Sequence, residues 1–140
     1  MGAIIQARDF SPEKHAGLLK PIIYCCPYGN VESEAISINV LLAEKLVKFR
    51  PNRRTMRLEH CFSQVLDSLP DGVIIKDFDV MFNPEYQVDL LKLMVTVCKK
   101  KPFSIIWPGK CDDGMLFYAE EGYQDYKLFS IEDYDVTCIV

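Results

Sequence analysis

The stretch Gly72-Val73-Ile74-Ile75-Lys76-Asp77-Phe78-Asp79-Val80-Met81-Phe82 decides the fold. A short apolar run ends in two aspartates spaced by one residue. The run is bounded by the turn Leu69-Pro70-Asp71-Gly72, so it reads as a strand buried in a parallel sheet. Such a strand delivers carboxylates at its C-terminal end, where open α/β sheets form their ligand crevice. Asp77 and Asp79 are therefore the first candidate functional residues, in a catalytic or metal-handling role. Both are also well suited to the plainer task of bonding the backbone of the turn that follows.

Working outward, the neighbouring segments alternate strand and helix. Phe103-Ser104-Ile105-Ile106-Trp107 reads as a second buried strand, and Pro21-Ile22-Ile23-Tyr24-Cys25-Cys26 as a third. A helix is expected from about Met56 to Ser68, with Leu58, Phe62, Val65 and Leu69 on one face. Another is expected from Glu85 to Lys99, started by Asn83-Pro84 and stopped by Pro102. Ser11-Pro12-Glu13 is a helix start, with the helix running to about Leu19. The segment from Val31 to Phe49 has two readings. Val31, Ala35, Ile38, Leu42, Leu46 and Phe49 fall at helical spacing, yet Ile36, Ile38 and Val40 alternate with polar residues as in a strand. Leu41 to Phe49 is helical under either. Leu116 to Tyr118 and Tyr126 to Phe129 read as short strands. The expected fold is α/β: one domain over residues 1–140, a three-layer parallel sheet with helices on both faces.

Composition sets limits. The chain has 140 residues, 49% hydrophobic and 26% charged, enough for one core. No apolar run approaches a membrane span, and the first residues lack the pattern of a secretory signal, so a cytoplasmic location is expected. None of the six cysteines forms a C-x-x-C pair. Cys25, Cys26, Cys61 and Cys98 lie in apolar segments and read as buried free thiols, and no metal site is expected. The net charge of −4 is unevenly spread. Lys45, Lys48, Arg50, Arg53, Arg54 and Arg57 crowd one region, while acids dominate beyond Asp112. The basic cluster is a solvated face or a contact for a partner chain or nucleic acid.

A phosphate-binding loop of the form G-x-x-x-x-G-K-[ST] would belong after the strand ending at Cys26. Laid there, the frame spans Cys26 to Ser33. Cys26 and Val31 replace the two glycines, and Glu32 replaces the lysine. Only Ser33 fits, with Gly29 inside the loop, and these two are the candidate nucleotide-binding residues. Glu32 would repel phosphate where the motif needs attraction, by about 4 kcal/mol at 4 Å and an effective dielectric of about 20. No cofactor is expected, and ATP with Mg²⁺ is disfavoured.

Several pieces together resemble a known family: Ile38-Asn39-Val40, the Arg54 to Leu58 region, Gly72 to Asp79, Phe82-Asn83-Pro84, Leu91-Lys92-Leu93, Ile106-Trp107-Pro108-Gly109, and Tyr118 to Tyr126. In order and spacing, the chain from Ile36 to Tyr126 resembles BrxF, the small P-loop proteins of type 3 BREX phage-defence systems. The resemblance implies an AAA-like P-loop fold and a supporting role in a bacterial defence complex. It favours the strand reading for Ile36 to Val40, and it places the Walker B acid at Asp77, with Asp79 as a lesser partner. Members carry a recognisable Walker A loop; this chain carries a degenerate one. The implied protein is a non-catalytic interaction subunit. The alternatives are an unusual NTPase using Asp77 with a lysine from a partner chain, and an accessory protein that contacts DNA. The expected partners are other defence proteins, DNA through the basic patch, or a second copy of the chain.

Overall fold

The computed structural model describes residues 1–15 and 19–140. Its frame is a six-stranded, wholly parallel sheet built from β1 (Ala3–Ile5), β2 (Ile22–Tyr24), β3 (Ile36–Ser37), β4 (Val73–Lys76), β5 (Phe103–Ile106) and β9 (Thr137–Ile139). The spatial order is β1-β9-β2-β5-β4-β3. A three-stranded antiparallel sheet of β6 (Lys110–Asp112), β7 (Met115–Tyr118) and β8 (Lys127–Ser130) interrupts the crossover from β5 to β9. The helices are α1 (Pro12–His15), α2 (Val31–Glu34), α3 (Asn39–Leu46), α4 (Arg54–Asp67) and α5 (Leu90–Cys98).

Right-handed crossovers explain the layering. Steps toward the β3 edge (β1 to β2, β2 to β3) leave on one face of the sheet. Steps back (β3 to β4, β4 to β5, β5 to β9) leave on the other. The second face therefore receives α3, α4, α5 and the small sheet. There Ile23, Ile75, Ile105 and Cys138 pack against Leu42, Leu58, Phe62, Leu66 and Met94 in one continuous core. Among the described residues the first face receives only single turns of helix. Tyr24 and Ile139 meet Phe10 and Val31 there, and Ile74 and Ile106 stay half-buried.

The expected α/β class with a parallel sheet holds, but the two faces are unequal: the helical layers expected on both sides lie mainly on one. The Val31–Phe49 segment takes neither expected form whole. It opens with one helical turn, crosses a two-residue strand, and enters α3 at Asn39 rather than Leu41, leaving it at Leu46 rather than Phe49. The helix expected from Glu85 begins only at Leu90. The Asn83 side chain accepts from Glu85 N–H at 2.9 Å and holds an Asx turn instead. Asp89 is the N-cap, accepting from Lys92 N–H at 3.2 Å. The helix expected to reach about Leu19 is observed over Pro12–His15, and residues 16–18 lie outside those described. Among the cysteines, Cys61, Cys98 and Cys138 are buried, whereas Cys25, Cys26 and Cys111 are only half-buried. Among the described residues no helix is long and apolar enough to cross a membrane.

Candidate functional site

The C-terminal ends of β2, β4 and β5 lie on one end of the sheet, as parallel strands require. Tyr24, Cys25, Cys26, Pro27, Tyr28, Val31, Glu32, Ile106 and Trp107 line a cavity of about 410 Å³ there, between β2 and β5. The crossovers after these two strands leave in opposite directions, so the cavity lies at a topological switch point. Its walls are aromatic and apolar, and Glu32 supplies the one charge.

Glu32 is not free. Its carboxylate pairs with the Lys76 ammonium at 3.1 Å. Lys76 is the last residue of β4, one step beyond the Ile75–Ile105 pair, and it points to the same face as Ile74. A strand lysine and a glutamate in the first turn of α2 thus bridge over β5. The other loop residues are turned to local work. Gly29 is exposed at φ +51, in the left-handed region that suits glycine. A side chain added there would meet nothing within 4 Å, so no close backbone approach requires it. The Ser33 hydroxyl donates to the Asn30 carbonyl at 2.9 Å. The helix after the loop is four residues long, too short to aim a row of N–H groups. These residues do not fit the triphosphate and Mg²⁺ of a P-loop site: the loop presents a carboxylate, already paired, where the phosphates would need a cation.

The two aspartates part company. Asp77 leaves β4 in the left-handed region at φ +52 and is exposed. It is absent from the cavity lining. Left-handed backbone is uncommon outside glycine, and aspartate is among the residues that tolerate it. Asp79 opens a 3-10 turn over Asp79–Phe82 and accepts from the Tyr118 hydroxyl at 2.9 Å. Burial, then the Asp79 carboxylate, pushes the Tyr118 hydroxyl well above the usual tyrosine range. Asp79 thereby fastens the small sheet to the end of β4. Asn39 reinforces the same turn, its side-chain oxygen accepting from Val80 N–H at 3.0 Å.

An aromatic column stands under this junction. Phe82 stacks on Tyr118 with centroids 3.7 Å apart and planes 5° from parallel. Trp107 meets Phe82 and Phe129 edge-on, each at 5.8 Å. The Trp107 indole N–H donates to the Phe117 carbonyl at 2.9 Å. Gly109 lets that carbonyl in: a Cβ there would collide with it. Trp107 therefore serves as core edge with one flank on the cavity. Tyr118 and Phe129 were not legible as parts of this site. Their apolar alternation marks strands, but nothing local says that they roof the end of β4.

The basic cluster divides as well. Arg54 is half-buried, and its Nε–H is shared by the carbonyls of Leu46 and Phe49, at 3.1 and 3.0 Å. It closes the C-terminal end of α3. Arg57 lies over the Phe49 ring at 5.4 Å. Lys48, Arg50 and Arg53 are exposed, with no acid within 4.0 Å among the described residues. They form the outward part of the patch.

Comparison with protein-family models, with curated proteins and with solved structures finds no match to this chain.

Proposed function

We propose that this chain is a non-catalytic accessory subunit of P-loop type, acting through protein contacts in a bacterial anti-phage system of the BREX kind. The defence assignment rests on the sequence pieces between Ile36 and Tyr126 that resemble BrxF. The P-loop assignment draws support from the strand order. One strand, β5, lies between the strand that precedes the degenerate loop and the strand that ends in Asp77, as an AAA-like sheet would have it.

The observation that carries the non-catalytic reading is the pairing of Glu32 with Lys76. The position that would need a cation for phosphate holds an anion, and Lys76 is engaged by it. The alternative reading, an NTPase completed by a lysine from another chain, is favoured by one feature: Asp77 stands exposed at its strand end. Purification from the native operon tests both. The proposal expects other defence proteins to accompany the chain, with no ATP hydrolysis that Asp77→Asn abolishes. Hydrolysis by the complex that is lost in Asp77→Asn would favour the alternative. A chain that purifies alone, and whose deletion leaves phage protection intact, would contradict the defence role.

A further inference from the structure

The two edges of the sheet carry opposite surfaces. At the β3 edge, α3 and its C-cap turn apolar residues to solvent: Val40 is 68% exposed and the C-cap Val47 66%. Ala43 lies between them on the same helical face and is exposed too. Lys48, Arg50 and Arg53 flank this ridge, unpaired among the described residues. A surface helix ordinarily presents polar residues outward, so an apolar stripe with one acid, Glu44, on its flank and three cations beyond its C-terminal end marks a contact surface.

At the opposite edge, β1 is bordered by the segment Ile131–Asp135. The two are packed so closely that a side chain at Gly2 would strike the Ile131 carbonyl. A groove of about 560 Å³ opens there, with Met1, Ile4, Met115 and Ile131 as its apolar lining and Asp113 and Glu132 at its rim. Ile4 is 49% exposed. Asp133 is exposed beside Glu132. Asp135 is already engaged by Lys20 at 3.2 Å and by the α-ammonium of Met1 at 3.9 Å. The groove thus complements the ridge in character: apolar centre to apolar centre, acids to cations.

We infer that copies of this chain bind one another head to tail, the α3 ridge of one seated in the β1-edge groove of the next. This deepens the contact-module reading by naming one partner, a second copy. The contact joins two different surfaces, so it propagates from copy to copy rather than closing as a two-fold dimer. Charge complementarity sets its register and makes it salt-sensitive. An apolar centre with acids on the same molecule fits this occupant better than it fits nucleic acid.

Sedimentation velocity on the full chain tests it. Wild-type protein at low salt is expected to gain mass with concentration and to lose it as salt is raised. The ridge variant Lys48→Glu/Arg50→Glu/Arg53→Glu and the groove variant Asp113→Asn/Glu132→Lys/Asp133→Lys, in which asparagine keeps the left-handed backbone of residue 113, should each associate at least about tenfold more weakly. Circular dichroism and thermal midpoints should match wild type, since the changed residues are exposed. Val40→Ser/Val47→Ser serves as an uncharged second ridge variant and should weaken association likewise. Mixing the two charge-reversed variants is decisive. The reversed ridge and the reversed groove now complement each other, and so do the two native surfaces left. The mixture should therefore recover association that strictly needs both variants. A wild type that stays monomeric at every concentration, or variants that associate as well as wild type, would overturn the inference. So would a mixture that stays monomeric. If the wild type is monomeric yet still co-purifies with other defence chains, the contact-module reading survives and this one falls. Salt-sensitive DNA binding through Lys48, Arg50 and Arg53, with no self-association, would reassign the ridge.

Discussion

Lys76 and Glu32, 44 residues apart in sequence, meet at 3.1 Å above the half-covered face of the sheet. The pair ties the end of β4 to the loop after β2, the two places from which a phosphate site would be built. Its glutamate is largely exposed, with 74% of its side chain open, and its lysine is 28% open. It is therefore an electrostatic arrangement more than a source of stability. Glu32→Gln should change the unfolding free energy by under about 1 kcal/mol. It should also release Lys76, so that weak, salt-sensitive binding of inorganic phosphate appears where wild type shows none. Parallel titrations of the two proteins at low salt check this.

Tyr118 and Asp79 give a second expectation. Tyr118→Phe keeps the stack on Phe82 and removes only the hydroxyl that donates to Asp79. We expect a loss of about 1–2 kcal/mol in denaturant unfolding, as for a hydrogen bond to a charged acceptor. Tyr118→Ala also removes the stack and should cost about 3–5 kcal/mol. If Tyr118→Phe leaves stability unchanged, Asp79 is not the fastening that holds the small sheet.

The arginines separate by role. Arg54→Ala leaves two carbonyls at the end of α3 without their shared donor and should cost about 1–2 kcal/mol. Arg53→Ala, one residue away and exposed, should stay within about 0.5 kcal/mol. Equal effects in denaturant titration would mean that Arg54 belongs to the solvated face after all.

Alkaline pH probes the junction of α5 with the segment after β8. The Tyr134 hydroxyl donates to Asp89 at 2.8 Å. Burial, then that bond and the Asp89 charge, pushes its pKa up to about 12 from the ordinary 10.0. The folded chain holds this proton longer than the unfolded chain does. The resulting stability is complete below pH 10 and is lost as pH rises toward about 12. Tyr134→Phe should flatten the fall of the thermal midpoint across that window. An identical slope in both proteins would remove Tyr134 from the cause.

The parts of this fold that could be read from sequence are those whose signal is local. Val73–Ile75, Phe103–Ile106 and Ile22–Tyr24 are apolar runs between turn residues, and they became the central strands. The stripe Leu58, Phe62, Val65 marked α4. The edge strand β1 and its neighbour β9 were not legible. β1 and β9 are three residues each, too short for alternation to register, and they exist because each pairs with a distant segment. Asn83-Pro84-Glu85 carries the chemistry of a helix start, but the Asn83 side chain spends it on a turn. The charge reversal at Glu32 was legible, whereas Asp77 and Asp79, the acids read first, stand outside the cavity lining. The partner of Glu32, Lys76, was not legible, because nothing in sequence brings residues 32 and 76 together except the strand order. Gly109 reads as a turn glycine, and its real constraint, the carbonyl of Phe117, comes from another strand.

The central claim is that the loop after β2 has lost phosphate binding, leaving contact as the work of the domain. Calorimetric titration of wild-type protein with ATP and Mg²⁺ tests it most directly. The account predicts no saturable heat at protein concentrations suited to micromolar affinity, where binding would be worth about 8 kcal/mol. A micromolar dissociation constant that Asp77→Asn or Lys76→Ala weakens would contradict it.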